Sequence, residues 1–163
     1  LAKMAKERGI LFHTDAVQTF GHLPVHVDEF NVDLLSVSAH KLYGPKGIGA
    51  LYVRQGTKIV PLLHGGEQEG KRRASTENVP AIVGFGKAVE IAQKRMHEET
   101  EALTALRDKF IKNLLEKINH IHLNGHPTRR LPNNINVSID SVDGESMLLN
   151  LDLEVYSTGL LRI

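Results

Sequence analysis

The 163-residue sequence contains no cysteine and no tryptophan. Without cysteine, the chain forms neither a disulfide nor a thiolate metal site, and it has no thiol that acts as a nucleophile. Aromatic residues make up only 5% of the sequence, which disfavours the stacking platforms of proteins that bind single-stranded nucleic acid. The formal net charge is +1, so no strong electrostatic field attracts nucleic acid either. We therefore expect no nucleic-acid partner.

Long apolar runs are also missing. No stretch approaches the roughly 20 apolar residues that cross a bilayer, and no signal peptide is present. We expect no membrane partner and a cytoplasmic location. The sequence begins at Leu1, and residues 1–8 have the pattern of the last turns of a helix that Gly9 ends. We therefore expect that a further segment precedes this sequence.

Short apolar runs alternate with helical segments in the first half of the sequence. We predict buried strands at 10–12, 33–38 and 49–54. The segment 58–62 is predicted to be extended and to lie at an edge, because Pro61 cannot donate a hydrogen bond to a ladder. Alternating strands and helices favour an α/β sheet that is covered by helices on both faces.

The pattern changes after a polar loop at residues 64–78. From Ile82 to Leu114 the apolar residues follow the helical period, either in one helix or in two joined near His97. A helix of this length commonly bridges two domains, so we expect a domain boundary near residue 90. Further along, the pattern predicts two strands and the start of a helix, at 121–123, 136–139 and 143–146.

Lys41 lies directly after the predicted strand 33–38 and before a turn rich in glycine and proline. A lysine forms an imine with an aldehyde only through its neutral amine, which desolvation and nearby cations help to supply. Ser38 and His40 place a hydroxyl and an imidazole at the same strand end, where both can donate to a phosphate. This pattern favours a pyridoxal phosphate (PLP) site, although a lone lysine in a loop is far more often an exposed charge.

Asp15 follows the first predicted strand. PLP withdraws electrons when its pyridine nitrogen is protonated, and a buried carboxylate about 3 Å away favours that form by several kcal/mol before desolvation costs. Ligands of α/β sheets bind at this edge. The alternative is that Asp15 caps the helical turn that begins at Ala16. Gln18 either hydrogen-bonds the phenolic oxygen of the cofactor or is an ordinary exposed glutamine.

The polar loop 64–78 is a second candidate. Its glycine amides, together with Arg72, Arg73 and Thr76, can bind an anion. Composition alone favours the alternative, a loop that is simply exposed to solvent.

Several histidines carry weaker signals. His120 and His122 alternate along a predicted strand, and His126 follows nearby. We favour partly exposed histidines over a metal site, and we predict no metal. His13 is interpreted as a wall of the pocket or as a packing residue.

In order and spacing, these residues resemble the cysteine desulfurases, within the class V aminotransferase group of fold-type-I PLP enzymes. The matching segments are 13–18, 38–49, 64–66, 72–78, 123–127 and 131–134. The similarity extends from Leu1 to about Glu154. The resemblance implies an α/β fold: part of the large PLP-binding domain, with its sheet covered by helices, and part of a small α+β domain.

The resemblance also implies a role for each candidate residue. Lys41 would hold PLP covalently and move protons at the α carbon of the substrate. Asp15 would hold the pyridinium, and Gln18 the phenolic oxygen. Ser38 and His40 would bind the phosphate.

The family is a homodimer, in which Thr76 would reach the phosphate held by the partner subunit. L-cysteine would be the substrate and a sulfur-acceptor protein a partner, in sulfur metabolism and iron-sulfur cluster assembly. The family usually has glycine where Ser75 stands, and often where Glu67 stands. Ser75 would alter the backbone of the loop if its φ is positive.

The resemblance assigns residues 1–90 to the C-terminal half of the large domain and 91–154 to a linking helix and a partial small domain. Residues 155–163 do not match. The family's first half and its persulfide-forming cysteine have no counterpart, so we expect a fragment that does not convert L-cysteine to L-alanine unaided. The alternatives are another class V enzyme (an aminotransferase or a selenocysteine lyase) and a non-catalytic remnant that pairs with another subunit.

Overall fold

The structure, a computed structural model, describes residues 1–144 and 147 of the chain. Contacts between residues divide the chain into two units, 1–100 and 101–163. The elements in chain order are α1 (Ala2–Lys6), β1 (His13–Asp15), β2 (Leu34–Ser38), a 3₁₀ helix (Ala39–Leu42), β3 (Gly49–Val53), α2 (Gln68–Lys71), α3 (Val79–Lys117), β4 (Ile121–Leu123) and β5 (Val137–Ile139).

The first unit contains a three-stranded sheet in the order β1-β2-β3. β1 runs parallel to β2, and β3 runs antiparallel to it. Side chains alternate between the two faces of a strand, so Leu35 and Val37 of β2 point to one face and Ser36 and Ser38 to the other. Leu35 is buried and Val37 packs against the core, which makes the second face the polar one.

The core beneath β2 has two clusters. One joins Ala16, Val32 and Leu35. The other joins Ala39 and Leu42 of the 3₁₀ helix to Phe85 and Ala88 of α3. Partly buried apolar residues extend these clusters: Phe12, Phe20, Val25, Val27, Val37, Ile48, Tyr52, Val89 and Ala92. Since burial of apolar surface is the main favourable term in folding, these contacts fix the chain that follows β2 against α3.

The turn after the 3₁₀ helix also packs closely on α3. A Cβ atom added at Gly84 of α3 would lie 2.6 Å from Cγ of Pro45, so any side chain at position 84 would push the turn away. Glycine at this position therefore permits the close approach of helix and turn.

Arg54 ties the segment before β2 to the end of β3. Its guanidinium donates to the carbonyls of Val27 and Val32, at 2.8 Å each, and to the carboxylate of Asp28 at 2.7 Å. The hydrogen bond to Asp28 is the main reason that the pKa of Arg54 is raised.

The described part of the second unit contains an antiparallel pair, β4 and β5. Arg107 of α3 is only 6% exposed. It donates to the carbonyl oxygens of Arg130 and Leu131, at 3.3 and 3.0 Å, and to the carboxylate of Asp108 at 2.8 Å. A buried guanidinium with these partners holds the segment that precedes β5.

The structure confirms the predicted strands that became β2, β3, β4 and β5, and it shows one continuous helix, α3. The prediction of a strand at 10–12 is wrong, because the ladder starts at His13 and Ile10 and Leu11 are exposed. The segment 58–62 pairs with no described strand, and Val60 and Leu62 are 87% and 90% exposed. Residues 145 and 146 of the helix start predicted at 143–146 lie outside the described residues.

Candidate active site

The candidate site lies where β1 and β2 end. Because the two strands are parallel, their carboxyl ends meet at one edge of the sheet. Asp15 closes β1 opposite Ser36, and β2 continues to Ser38. The amide of Ala16 donates to the carbonyl of Ser36 at 2.9 Å, which extends the pairing past the last residue of β1. This edge therefore carries Asp15 from one strand and Ser38 from the next.

Lys41 lies on the 3₁₀ helix that follows β2 directly. Ala39 and Leu42 of this helix are buried, whereas Lys41 is partly buried and His40 is exposed. The packing of the two apolar residues thus leaves the two basic residues on the outer side, at the edge where β2 ends. The lysine is carried by a packed element rather than by a free loop.

Ser38 and His40 contact each other directly. The Oγ atom of Ser38 and the Nδ1 atom of His40 are 2.7 Å apart, and the tautomer of the imidazole decides which group donates. Their contact keeps a hydroxyl and an imidazole together within one turn of Lys41. In either tautomer the contact uses one of the two donors and leaves the other, the hydroxyl of Ser38 or the Nε2–H of His40, to donate to an anionic group such as a phosphate.

The carboxylate of Asp15 accepts a hydrogen bond from the turn that follows β1, as the predicted alternative of a cap requires. Its Oδ1 atom accepts a hydrogen bond from the amide of Val17 at 2.9 Å. The amide of Phe20 donates to the carbonyl of Ala16 at 2.8 Å, so a helical turn follows. The predicted cap of this turn is therefore present. It occupies one carboxylate oxygen, and among the described residues no hydrogen bond engages Oδ2, which is left to accept one from a ligand.

Gln18 and Thr76 stand apart from this group. Gln18 is exposed in the turn after β1, three residues from Asp15. Thr76 is exposed in the loop before α3, and no hydrogen bond within the described part of the chain joins it to the site. The structure thus brings Asp15, Ser38, His40 and Lys41 to one sheet edge, with Gln18 on the adjoining turn.

The loop that bears Thr76 has an unusual backbone. Ser75 has a φ of 96°, in the positive region that favours glycine. The preceding residue, Ala74, is buried, and its amide donates to the carbonyl of Leu63 at 3.2 Å. Ser75 therefore has the positive φ under which it was predicted to alter the backbone of the loop.

One contact at the site was not predicted from the sequence. The Nε2 atom of His13 and the Oγ atom of Ser36 are 2.6 Å apart, on the face that also carries Asp15 and Ser38. Sequence reasoning treated His13 as a wall or packing residue and gave Ser36 no role. The available signal was the two-residue spacing of His13 from Asp15 and of Ser36 from Ser38, which places all four on one face once the strands pair.

Two histidines of the second unit, His122 and His126, have partners within that unit. His122 lies 3.3 Å from the carboxylate of Asp140, and the Nδ1 atom of His126 accepts hydrogen bonds from the amides of Thr128 and Arg129. Among residues 1–144 and 147, no group of three or more histidine and acidic side chains is placed to hold a metal ion. The same part of the chain contains no helix long and apolar enough to cross a membrane.

The residues at the sheet edge fit PLP. The hydroxyl and imidazole of Ser38 and His40 suit its phosphate, and the carboxylate of Asp15 suits a protonated ring nitrogen. Lys41 supplies a primary amine three residues after Ser38. This set (one amine, one carboxylate and one hydroxyl–imidazole pair) offers a partner to the aldehyde, the ring nitrogen and the phosphate of the cofactor.

The profile of a protein family described as aminotransferase class-V matches residues 1–155. The match covers almost the whole chain, and the chain belongs to this family. The resemblance that the motifs indicated is confirmed at this level.

Curated relatives carry a more specific name. Cysteine desulfurase IscS of Dictyoglomus turgidum is 62% identical over 161 residues, which are 98% of this chain and 41% of the relative. Cysteine desulfurase IscS of Methanosarcina thermophila is 57% identical over 161 residues, or 98% of this chain and 40% of that protein. The chain therefore spans about two fifths of the length of these relatives.

Solved structures share the fold. A NifS-like protein from Rickettsia africae has a TM-score of 0.84 at 32% identity, with 91% of this chain and 41% of that chain covered. A structure described as SspA in complex with cysteine has a TM-score of 0.66 at 42% identity, with 85% and 38% covered. The predicted fold class, an α/β part of the fold-type-I large domain with part of a small α+β domain, is confirmed.

Proposed function

We propose that this chain is the lysine-bearing part of a PLP-dependent cysteine desulfurase, a sulfurtransferase that converts L-cysteine to L-alanine and passes the sulfur on as a persulfide. One observation carries the proposal: Ser38 ends β2, His40 and Lys41 follow it within one turn, and Asp15 ends the parallel neighbour β1 at the same edge. The names of the relatives and the neighbour solved with cysteine support L-cysteine as the substrate.

Each residue then has a distinct task. Ser38 and His40 would bind the phosphate of the cofactor, and the carboxylate of Asp15 would favour a proton at its ring nitrogen. Gln18 would donate its amide to the phenolic oxygen. Lys41 would hold the cofactor through its amine, and that amine would move a proton at the α carbon of the substrate. Bound PLP supplies an electron sink for the bond changes at that carbon.

Further partners belong to the same proposal. A second copy of the chain would place its Thr76 against the phosphate, which accounts for a threonine that has no described contact with the site in its own chain. Because these 163 residues contain no cysteine, the persulfide must form on a thiol outside them. A sulfur-acceptor protein would follow in iron-sulfur cluster assembly or other sulfur metabolism, and the location would be cytoplasmic.

The domain assignment is also proposed. Residues 1–90 would belong to the PLP-binding domain, 91–154 to the linking helix and a small domain, and 155–163 to neither. The isolated chain would bind the cofactor weakly and produce no alanine unaided.

The cofactor site is tested by adding PLP to the 163-residue chain, reducing with borohydride and mapping the added mass on peptides. We expect the label on Lys41 and a visible absorption band that the Lys41→Ala variant lacks. Lys46→Ala is the matched control, because Lys46 is exposed in the adjoining turn and its loss leaves the band in place. A label distributed equally over Lys41 and Lys46 would contradict the proposal.

The reaction is tested in a chimera, in which residues 1–154 replace the matching segment of the Dictyoglomus turgidum relative. With an added dithiol that reduces the persulfide, we expect alanine and sulfide from L-cysteine, and neither after Lys41→Ala. Preference for selenocysteine, or amino transfer to a 2-oxo acid, would favour another class V enzyme. A chimera that folds as a dimer but remains inactive with every substrate would favour the non-catalytic remnant.

A further inference from the structure

A short hydrogen bond joins His13 of β1 to Ser36 of β2 on the polar face of the sheet. The Nε2 atom of His13 lies 2.6 Å from the Oγ atom of Ser36. In the parallel register Ser36 stands opposite Asp15, whereas His13 stands opposite Leu34, so the contact is diagonal. Because side chains two residues apart share a face, Ser36 is a same-face neighbour of both His13 and Asp15.

Ser36 also holds the backbone on the far side of Asp15. Its carbonyl accepts a hydrogen bond from the amide of Ala16 at 2.9 Å. Ser36 thus contacts position 13 of β1 through its side chain and position 16, directly after β1, through its backbone. Asp15 lies between these two points.

The length of β1 makes this double contact important. β1 has three residues and, among the described strands, pairs only with β2. A short edge strand has few ladder hydrogen bonds, so each additional link between the strands restrains a large share of its motion. The carboxylate of Asp15 is itself fixed at one oxygen by the amide of Val17, which requires that the turn stays in place.

We propose that His13 and Ser36 form a positioning pair that holds Asp15 where its carboxylate meets the ring nitrogen of PLP. This inference rests on the proposed function and deepens it, since it assigns a purpose to two residues that had none. His13 acts through Ser36 and Asp15, and is a positioning residue. Either tautomer of His13 serves, because the hydroxyl of Ser36 both donates and accepts.

The first test measures the dissociation constant of PLP from the full 163-residue chain by its visible absorption. Ser36→Ala and His13→Asn each remove the contact, and each is expected to raise the constant about three- to tenfold, the worth of one hydrogen bond. Ser36→Thr keeps the hydroxyl and is expected to restore the parent affinity. The double variant should bind no more weakly than either single variant, since both remove the same contact.

The second test needs no cofactor. Amide hydrogen exchange at Ala16 and Val17 is expected to accelerate in Ser36→Ala and His13→Asn, because both amides lie in the turn that the pair restrains. His120→Asn is the control: it is the same substitution outside the sheet, at a φ of 57° that asparagine tolerates. It should change neither the exchange rates nor the affinity.

The outcomes separate the two proposals. Unchanged exchange at Ala16 and Val17 in both variants overturns the positioning pair, whether or not PLP binds. Faster exchange with unchanged affinity also overturns it, because the pair would then support the strand without affecting the cofactor. A parent chain that binds no PLP at Lys41 overturns the proposed function, while the exchange rates still decide whether the pair restrains Asp15.

Discussion

The backbone at Ser75 permits a prediction about the loop that carries Thr76. Ser75 has a φ of 96°, and its neighbour Ala74 is held by burial and by a hydrogen bond to Leu63. A residue other than glycine at a positive φ lowers the stability of the folded state by about 1–3 kcal/mol. Glycine avoids this strain but loses more conformational freedom on folding, which lowers the stability by about 0.5–1 kcal/mol. We therefore expect Ser75→Gly to raise the free energy of unfolding by about 0.5–2 kcal/mol.

The assay is urea unfolding of the parent chain and its variants, followed by circular dichroism. Ser75→Val is expected to lower the midpoint, because a β-branched side chain tolerates a positive φ worst. Ser138→Gly is the control, since Ser138 lies in the ladder of β5 and the same substitution there should destabilise. If Ser75→Gly lowered the stability as Ser138→Gly does, the argument from strain would be refuted.

Two other predictions concern charged side chains of α3. Arg107→Met removes a buried donor from the carbonyls of Arg130 and Leu131. We expect the free energy of unfolding, measured in urea, to fall by about 2–4 kcal/mol. Asp108→Asn keeps an acceptor for Arg107 and should lower it by less than about 1 kcal/mol. Equal losses would contradict this account. Hydrogen bonds from Lys94 and then Lys87 lower the pKa of Glu90, so its stabilising contribution is present above the usual carboxyl pKa and is lost as pH falls through the lowered value. Glu90→Gln should therefore reduce the thermal midpoint at neutral pH, and the difference should close in acid; a difference independent of pH would argue against it.

The segment around Lys41 could be predicted because its local signals agree. An apolar run, then small and polar residues, then a turn of glycine and proline specify a strand that ends before Lys41. A single helix through His97 was one of the two predicted alternatives, and it is the one observed, since the helical period of apolar residues continues there without a break. Burial of Ala39 and Leu42 adds the reason why the lysine lies on the outer side.

The first strand could not be placed from its composition. Ile10 and Leu11 are apolar, yet the ladder begins at His13. Just before it, Phe12 and Asp33 form two hydrogen bonds: the amide of Asp33 donates to the carbonyl of Phe12, and the amide of Phe12 donates to the carboxylate of Asp33. The start of β1 is determined by its pairing with β2, a strand some 20 residues further along the chain, and no local sequence pattern predicts that pairing.

The same limit applies to the site. The contact of His13 with Ser36 depends on the register of β1 against β2, which a single sequence does not contain. Under the proposed function, Thr76 would act at the site of a second copy, so no contact within its own chain identifies it. Lys41, Ser38 and His40 could be found together because they are neighbours in the chain as well as in space, whereas Asp15 was found from its own position after a predicted strand.

Asp15 terminates a strand of only three residues, and a strand that short opens at a lower free energy than the whole domain. Whenever β1 detaches, its carboxylate leaves with it, so the apparent affinity for any ligand that needs Asp15 is the affinity of the closed form multiplied by the fraction of molecules in which the strand is closed. A bound ligand would in turn suppress this local opening, and the three-residue strand would become the part of the fold most stabilised by occupancy.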